Sequence, residues 1–412
     1  MNNAAIPLPS LNKVAIALRQ ITETLAGEFS CATEETPEWD EFEWRIAQAV
    51  VSMQGVSSLL HAGLRWVGPT RWRQFLQEQR NHVAGRHARI DVLLKRIDLQ
   101  ARSGGIALVA LKGAALHASG VYDIGERPMA DIDLLVRDDD LKTAIRLLEG
   151  CDFQLTFTTW RHYLFESRSQ TRHVAVRLGE HTDNPIKIEL HTSVRERLPL
   201  SEIDITRFMF PHVPHPGLNA YRSPASLMMH LLLHCAGNIR AHALRLIQLC
   251  DIARLAARFS PPDWQELLSA RPNEQGLWWA AAPLILTARY FPAAIPPFAV
   301  ARIDKECPWL LRRVSRRQRL ADVSWSNIRV YALPGIEWSR TPGEALRFIV
   351  SRIWPTRDAR IELSRFAAHH PGASKVPWYG ISQGARILRW ILFRPPRVQT
   401  LITVRAALAQ TT

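Results

Sequence analysis

The residue pattern changes at Ser103-Gly104-Gly105, and this change constrains the fold more than any other feature of the sequence. Before it, apolar residues recur at helical spacing, which predicts helices across residues 1–104. After it comes IALVAL (106–111), a short apolar run that glycines bound on both sides and that is typical of a buried strand. From about residue 198 the helical pattern returns. The chain is therefore predicted to fold as helices, an α/β unit and helices again.

Four regions are expected from this order. They are a helical region (1–104), an α/β core (105–196), a helical domain (197–300) and a mostly helical region rich in Trp and Arg (301–412). Further strands are predicted around 131–136, 153–159, 162–167, 174–178 and 186–190, with a helix over 138–150. The expected fold class is α+β, with a small mixed sheet flanked by helical regions on its N-terminal and C-terminal sides.

Composition excludes several classes of protein. Hydrophobic residues at 47% and charged residues at 22% are ordinary for a globular chain and exclude disordered and collagen-like ones. Five scattered cysteines without a Cys-x-x-Cys pair argue against a structural zinc site or a disulfide scaffold and favour the cytoplasm. The longest apolar run, 277–288, is shorter than the roughly 20 residues that span a bilayer, so no membrane span is expected. The N-terminus does not have the pattern of a signal peptide.

The chain is strongly basic, with 52 Lys+Arg against 38 Asp+Glu and a net charge of +14. All but seven of these cations are arginine. The planar fork of arginine suits bidentate contacts with phosphate, and a basic surface attracts polyanions. The charge therefore permits a nucleic-acid partner, although a GC-rich genome would produce the same bias.

Two predicted strands carry carboxylates on one face. In DIDLLV (131–136), Asp131 and Asp133 share a face and the opposite face is apolar. KIELH (187–191) repeats this pattern with Glu189. Carboxylates that share a face repel each other unless they are protonated or bind a cation, and clustered oxygen ligands suit Mg²⁺ or Mn²⁺. If the strands are neighbours, three carboxylates converge, which permits a two-metal arrangement for phosphoryl transfer.

Lys112-Gly113 closes the strand at 106–111 and opens a predicted helix at Ala114. Glycine allows a close approach of the backbone to a ligand, and the N–H groups at a helix start favour anions. Arg127, just before DIDLLV, is a candidate for a further phosphate contact. Each of these features alone is more often structural, a turn or a solvated strand end, and only their combination in this order is specific.

The order strand, glycine, helix, Asp-x-Asp strand and later carboxylate strand resembles the DNA polymerase β-type nucleotidyltransferase superfamily. More narrowly, LKGAAL, RPMADIDLLV and KIELH, with PASLMMHLLLH and RLIQLCDIARL, resemble the uncharacterised bacterial nucleotidyltransferase family within it. The strong motifs span about residues 105–192, and a looser likeness extends to about residue 258.

The resemblance implies roles for individual residues. Asp131 and Asp133 would bind Mg²⁺ or Mn²⁺, and Glu189 would hold the catalytic metal and help to deprotonate an acceptor hydroxyl. Gly113 would lie against the phosphates of an NTP substrate. Ala114 departs from the superfamily pattern, which usually has Ser or Gly there, so the backbone and Lys112 are left as the phosphate donors.

The function so implied is metal-dependent transfer of an NMP from an NTP to an acceptor, with release of pyrophosphate. The sequence does not identify the acceptor, and RNA, a small molecule and a peptide all fit. The alternative is a non-catalytic RNA- or protein-binding module that retains the fold.

Four further residues attract attention for their chemistry. His230 and His234 lie four apart on a predicted helix, but no third zinc ligand accompanies them, so a helix face near the cleft is expected instead. His191 shares a strand face with Glu189, and Asp251 is expected to serve as a helix cap or in a salt bridge.

Overall fold

A mixed six-stranded sheet lies at the centre of the protein in a computed structural model that describes residues 9–169, 178–272, 276–331, 333–355, 357, 383–393 and 395–409. The strands are β1 (Ala107–Ala110), β2 (Asp131–Val136), β3 (Phe153–Thr158), β4 (Tyr163–Ser167), β5 (Lys187–His191), β6 (Arg195–Arg197), β7 (Glu202–Asp204) and β8 (Gly217–Asn219). The sheet order is β3-β4-β5-β2-β1-β8, and β6 pairs with β7 in a separate hairpin. β2 is parallel to β5 and antiparallel to β1.

Helices precede, interrupt and follow the sheet. They are α1 (Leu11–Gly27), α2 (Glu41–Gln54), α3 (Ser57–Gly63), α4 (Thr70–Ser103), α5 (Lys112–Ala118), α6 (Leu141–Gly150), α7 (Pro224–Arg240), α8 (Leu246–Ala256), α9 (Pro261–Ser269), α10 (Ala281–Tyr290), α11 (Pro297–Asp304), α12 (Trp309–Ser315), α13 (Leu320–Val323), α14 (Pro342–Ile353), α15 (Gln383–Phe393) and α16 (Val398–Leu408). The Ser223 side chain caps α7, and proline occupies the first turn of that helix, where no backbone N–H is needed.

The predicted α+β class, with a mixed sheet between helical regions, is confirmed. The strand expected at 131–136 has those bounds, and the strand expected at 106–111 is observed over 107–110. The strand predicted around 174–178 falls largely outside the described residues. No described helix is long and apolar enough to cross a membrane.

The two faces of the sheet pack against different sets of helices. Ile132, Leu134 and Val136 join a core that also contains buried residues of α4 and α6. Leu135, on the carboxylate face of β2, belongs to a larger core that runs from Val14 to Leu408 and includes much of α7 and α8. Helices from both ends of the sequence therefore pack in the same core as the carboxylate face.

Arg86 of α4 ties together the segments that lead into β2 and β5. Its guanidinium donates hydrogen bonds to the carbonyl oxygens of Met129 (2.6 Å), Ala130 (2.6 Å), Asn184 (2.7 Å) and Pro185 (3.1 Å). The Arg86 side chain is 3% exposed, and Glu180 supplies a counter-charge 3.8 Å away. One rigid planar group thus fixes the starts of two neighbouring strands.

We predict that Arg86→Met lowers the free energy of unfolding by about 3–5 kcal/mol, because it leaves buried carbonyl groups and Glu180 without their partner. Urea unfolding measures this change. The matched control is Arg96→Met on the same helix, where an exposed side chain makes a single bond to the Gly150 carbonyl, so a loss of no more than about 1 kcal/mol is expected. Equal losses of unfolding free energy in the two variants would contradict this stabilising role of Arg86.

Candidate active site

Three carboxylates lie on one face of the sheet. β2 and β5 are parallel neighbours, with Asp131 opposite Lys187 and Asp133 opposite Glu189. Because alternate residues of a strand share a face, Asp131, Asp133 and Glu189 project from the same side. The structure therefore brings together the three acidic residues that the sequence motifs single out, and we call them the carboxylate cluster.

Lys112 reaches into the carboxylate cluster from the junction of β1 and α5. Its Nζ atom donates to Asp133 Oδ1 at 2.7 Å, and its backbone N–H donates to the Tyr221 hydroxyl at 3.1 Å. The backbone of Lys112 has a φ of 46°, in the left-handed region that non-glycine residues rarely adopt. Strain of this kind persists only where surrounding contacts hold it, and it concentrates at functional sites.

The two aspartates differ in their ionisation. Burial raises the pKa of Asp131, and the charges of Asp133 and Glu189 raise it further. Burial also opposes ionisation of Asp133, but the Lys112 ammonium and the hydrogen bond from His191 hold its pKa well below the usual range. A proton on Asp131 and the ammonium beside Asp133 thus limit the repulsion in the pair.

Two imidazoles extend the carboxylate cluster at the Glu189 side. His191 Nε2 donates to Asp133 Oδ1 at 3.1 Å and lies 3.7 Å from Glu189 Oε2, while His162 Nδ1 lies 3.4 Å from that same Glu189 oxygen. One ligand atom from each of His162, Glu189 and His191 lies within 4.8 Å of the others, which is close enough to share a metal ion. Burial lowers the pKa of His162, whereas for His191 the bonds to Asp133 and Glu189 outweigh burial and raise it.

Sequence reasoning missed His162. This residue immediately precedes β4, and only the antiparallel pairing of β4 with β5 brings it beside Glu189. The sequence signal was the histidine at the start of a predicted strand, which by itself indicates no partner.

Gly113 and Ala114 are both buried at the start of α5. A Cβ atom on Gly113 would clash with the Arg127 guanidinium and meet Met129 Cγ at 3.0 Å, so glycine is required for close packing. Ala114 is buried in the core on the other face of the sheet, together with Met129. A hydroxyl at position 114 would therefore lie in apolar surroundings, and Lys112 remains the polar side chain of this segment that reaches the carboxylate cluster.

Arg127 is held in a buried ion pair. Its Nε and Nη2 atoms donate to the two carboxylate oxygens of Asp251, each at 2.7 Å, and the Tyr122 hydroxyl donates to Asp251 Oδ1 at 2.8 Å. Asp251, on α8, thus takes part in a salt bridge, one of the two roles expected for it. A phosphate contact of Arg127 stays a prediction.

His230 and His234 lie on α7 close to Lys112 but bind different partners. The Tyr221 hydroxyl donates to His230 Nδ1 at 2.7 Å, and Asn238 Nδ2 lies 3.2 Å from His234 Nε2. Burial and the Lys112 charge lower the pKa of both imidazoles well below the usual range. A neutral His230 therefore supports, through Tyr221, the backbone of Lys112.

A family model described as an uncharacterised nucleotidyltransferase matches residues 40–292. The match includes Arg86, Lys112, Asp251 and the whole carboxylate cluster. Neither the curated proteins nor the solved structures contain a match to the chain. Because the family match covers more than half of the 412 residues, the chain belongs to this family of uncharacterised nucleotidyltransferases.

Proposed function

We propose that the protein moves a nucleoside monophosphate from an NTP to an acceptor, in a metal-dependent reaction that releases pyrophosphate. Membership of the family supports nucleotidyl transfer in general. The observation that carries the finer proposal is the convergence of Asp131, Asp133 and Glu189 on one sheet face beside Lys112. Such a cluster is costly to bury unless it serves a cation.

The residues present fit a divalent metal ion. Three carboxylates face one lysine, so the cluster is short of positive charge even with the Lys112–Asp133 pair formed. Asp131, Asp133 and Glu189 would hold Mg²⁺ or Mn²⁺, and the imidazoles of His162 and His191 lie at the Glu189 side. A bound divalent ion would neutralise phosphate charge and lower the pKa of an attacking hydroxyl.

The side chains around the carboxylate cluster can serve the remaining steps. Glu189 accepts the proton of the acceptor hydroxyl, and its neighbours His162 and His191 orient its carboxylate. The acceptor oxygen then forms a bond with the α-phosphorus, and the bond from that phosphorus to the pyrophosphate oxygen breaks. The Lys112 ammonium, which donates a hydrogen bond to Asp133, can donate to a phosphate oxygen instead and so balance the charge of the leaving group.

We predict that Asp133→Asn and Glu189→Gln each lower label transfer from α-labelled NTPs to components of a cell extract by about 10²-fold or more, because each removes charge needed at the reacting phosphate. EDTA abolishes transfer in the unsubstituted protein. Glu166→Gln is the matched control, since Glu166 pairs with Lys187 at 2.6 Å on the neighbouring strand and is not part of the cluster. Transfer that survives in Asp131→Ala/Asp133→Ala would overturn the proposal. If the unsubstituted protein transfers no label and RNA binding is unchanged in Asp131→Ala/Asp133→Ala, the result favours a non-catalytic binding module.

We predict that Mn²⁺ binds more tightly as the pH rises from about 5.5 to about 8. The raised pKa of Asp131 means that a proton competes with the metal at the lower pH. Affinity then falls by up to about tenfold per pH unit below that pKa. Calorimetric titration with MnCl₂ measures the effect.

Asp131→Asn removes the carboxyl whose pKa is raised, so its weaker Mn²⁺ affinity is expected to depend less on pH over the same range. The control is Asp183→Asn, because the Asp183 carboxylate is exposed and lies outside the carboxylate cluster. A pH dependence that persists unchanged in Asp131→Asn would show that another group competes with the metal.

A further inference from the structure

A cavity of about 450 Å³ lies beyond the carboxyl-terminal ends of β2 and β5. Arg137 lines it directly after β2, and Thr192 lines it directly after β5. Arg207 and Arg222 complete a set of three arginines, which we call the arginine trio, and Asp138 is the one carboxylate among the lining residues of this cavity. None of the carboxylates or imidazoles of the candidate active site is among those lining residues.

Among the described residues, no carboxylate lies within ion-pair distance of the arginine trio, although Asp138 lines the same cavity. All three side chains are exposed, and they differ from Arg127 and Arg161, which pair with Asp251 at 2.7 Å and with Glu196 at 2.5 Å. Three guanidinium groups around one cavity repel each other, and Asp138 offsets only one of them. The remaining positive charge makes the cavity a site that attracts an anion.

Contacts with neutral groups hold two of these arginines in place. The Arg137 guanidinium lies over the Phe210 ring, 5.4 Å from its centroid. Arg207 lies 4.9 Å from the Phe208 centroid and donates from Nη2 to the Arg271 carbonyl at 2.7 Å. Cation–π contacts orient a guanidinium without cancelling its charge, so its N–H donors stay available to a ligand.

We propose that this cavity is a binding site, separate from the carboxylate cluster, for adjacent phosphate groups. Arginine forks match phosphate oxygens in bidentate geometry, and three of them suit a ligand that carries two or more phosphate charges. The volume is in the range of small-molecule sites. Such phosphates belong either to a free polyphosphate or to the backbone of a nucleic-acid strand. The proposal does not depend on nucleotidyl transfer.

The test is calorimetric titration of the full chain with sodium pyrophosphate and, separately, with a short single-stranded oligouridylate. EDTA is present throughout, so that the metal-free carboxylate cluster repels both anions. We expect at least one probe to bind, and Arg137→Gln/Arg222→Gln to weaken that binding about tenfold or more. Pyrophosphate binding identifies a free polyphosphate as the ligand, whereas binding of the oligonucleotide alone identifies a strand backbone.

Two controls keep the test specific. Arg65→Gln/Arg317→Gln removes the same charge from exposed arginines outside the cavity, and its affinity is expected to stay within about twofold. Asp133→Asn is expected to retain binding as well. The proposal is overturned if the unsubstituted protein binds neither probe, if both double variants lose affinity equally, or if Asp133→Asn clearly strengthens binding. That last outcome would place the anion beside the Lys112 ammonium, which this substitution frees.

Discussion

The hydrogen bonds of Arg86 are the contact on which the candidate active site depends. β2 and β5 are parallel, so no tight turn can set their register. A slip by one residue would move Glu189 to the opposite face of the sheet, away from Asp133. Arg86 prevents this slip because one planar group binds the carbonyls at the start of both strands. The helix that carries Arg86 precedes the sheet in sequence, yet it is as much a part of the site as the strands are.

Charge compensation explains how the helices after the sheet contribute. The carboxylate cluster needs nearby positive charge, and Lys112, whose backbone adopts a left-handed conformation, supplies it. That conformation is supported by the bond from the Lys112 N–H to Tyr221, whose hydroxyl donates in turn to His230 of α7. Arg127, the other cation near the start of α5, is instead bound by Asp251 of α8. The helices therefore determine which cation faces the carboxylates.

The period-two alternation of DIDLLV and KIELH was enough to predict which face of each strand carries the carboxylates, and the sheet order makes the two strands neighbours. Local patterns could not predict contacts that depend on distant elements. Arg86 lies in an ordinary helical pattern, His162 needs the pairing of β4 with β5, and the partner of Arg127 lies on α8. Each of these is a side chain whose role is decided by what packs against it.

The net charge of +14 likewise does not show which arginines have a carboxylate partner in the fold. Several arginines have carboxylate partners: three guanidinium groups surround Trp160 at 4.5–5.5 Å from its ring centroid, and all three lie within ion-pair distance of Glu196 or Glu202. The arginine trio beyond β2 and β5 differs, because the described residues offer it a single carboxylate, Asp138. The balance of charge around each arginine, and not the net charge of the chain, decides where an anion is attracted. A strongly basic chain can thus attract a phosphate at one cavity while other arginines, such as those around Trp160, are paired with carboxylates nearby.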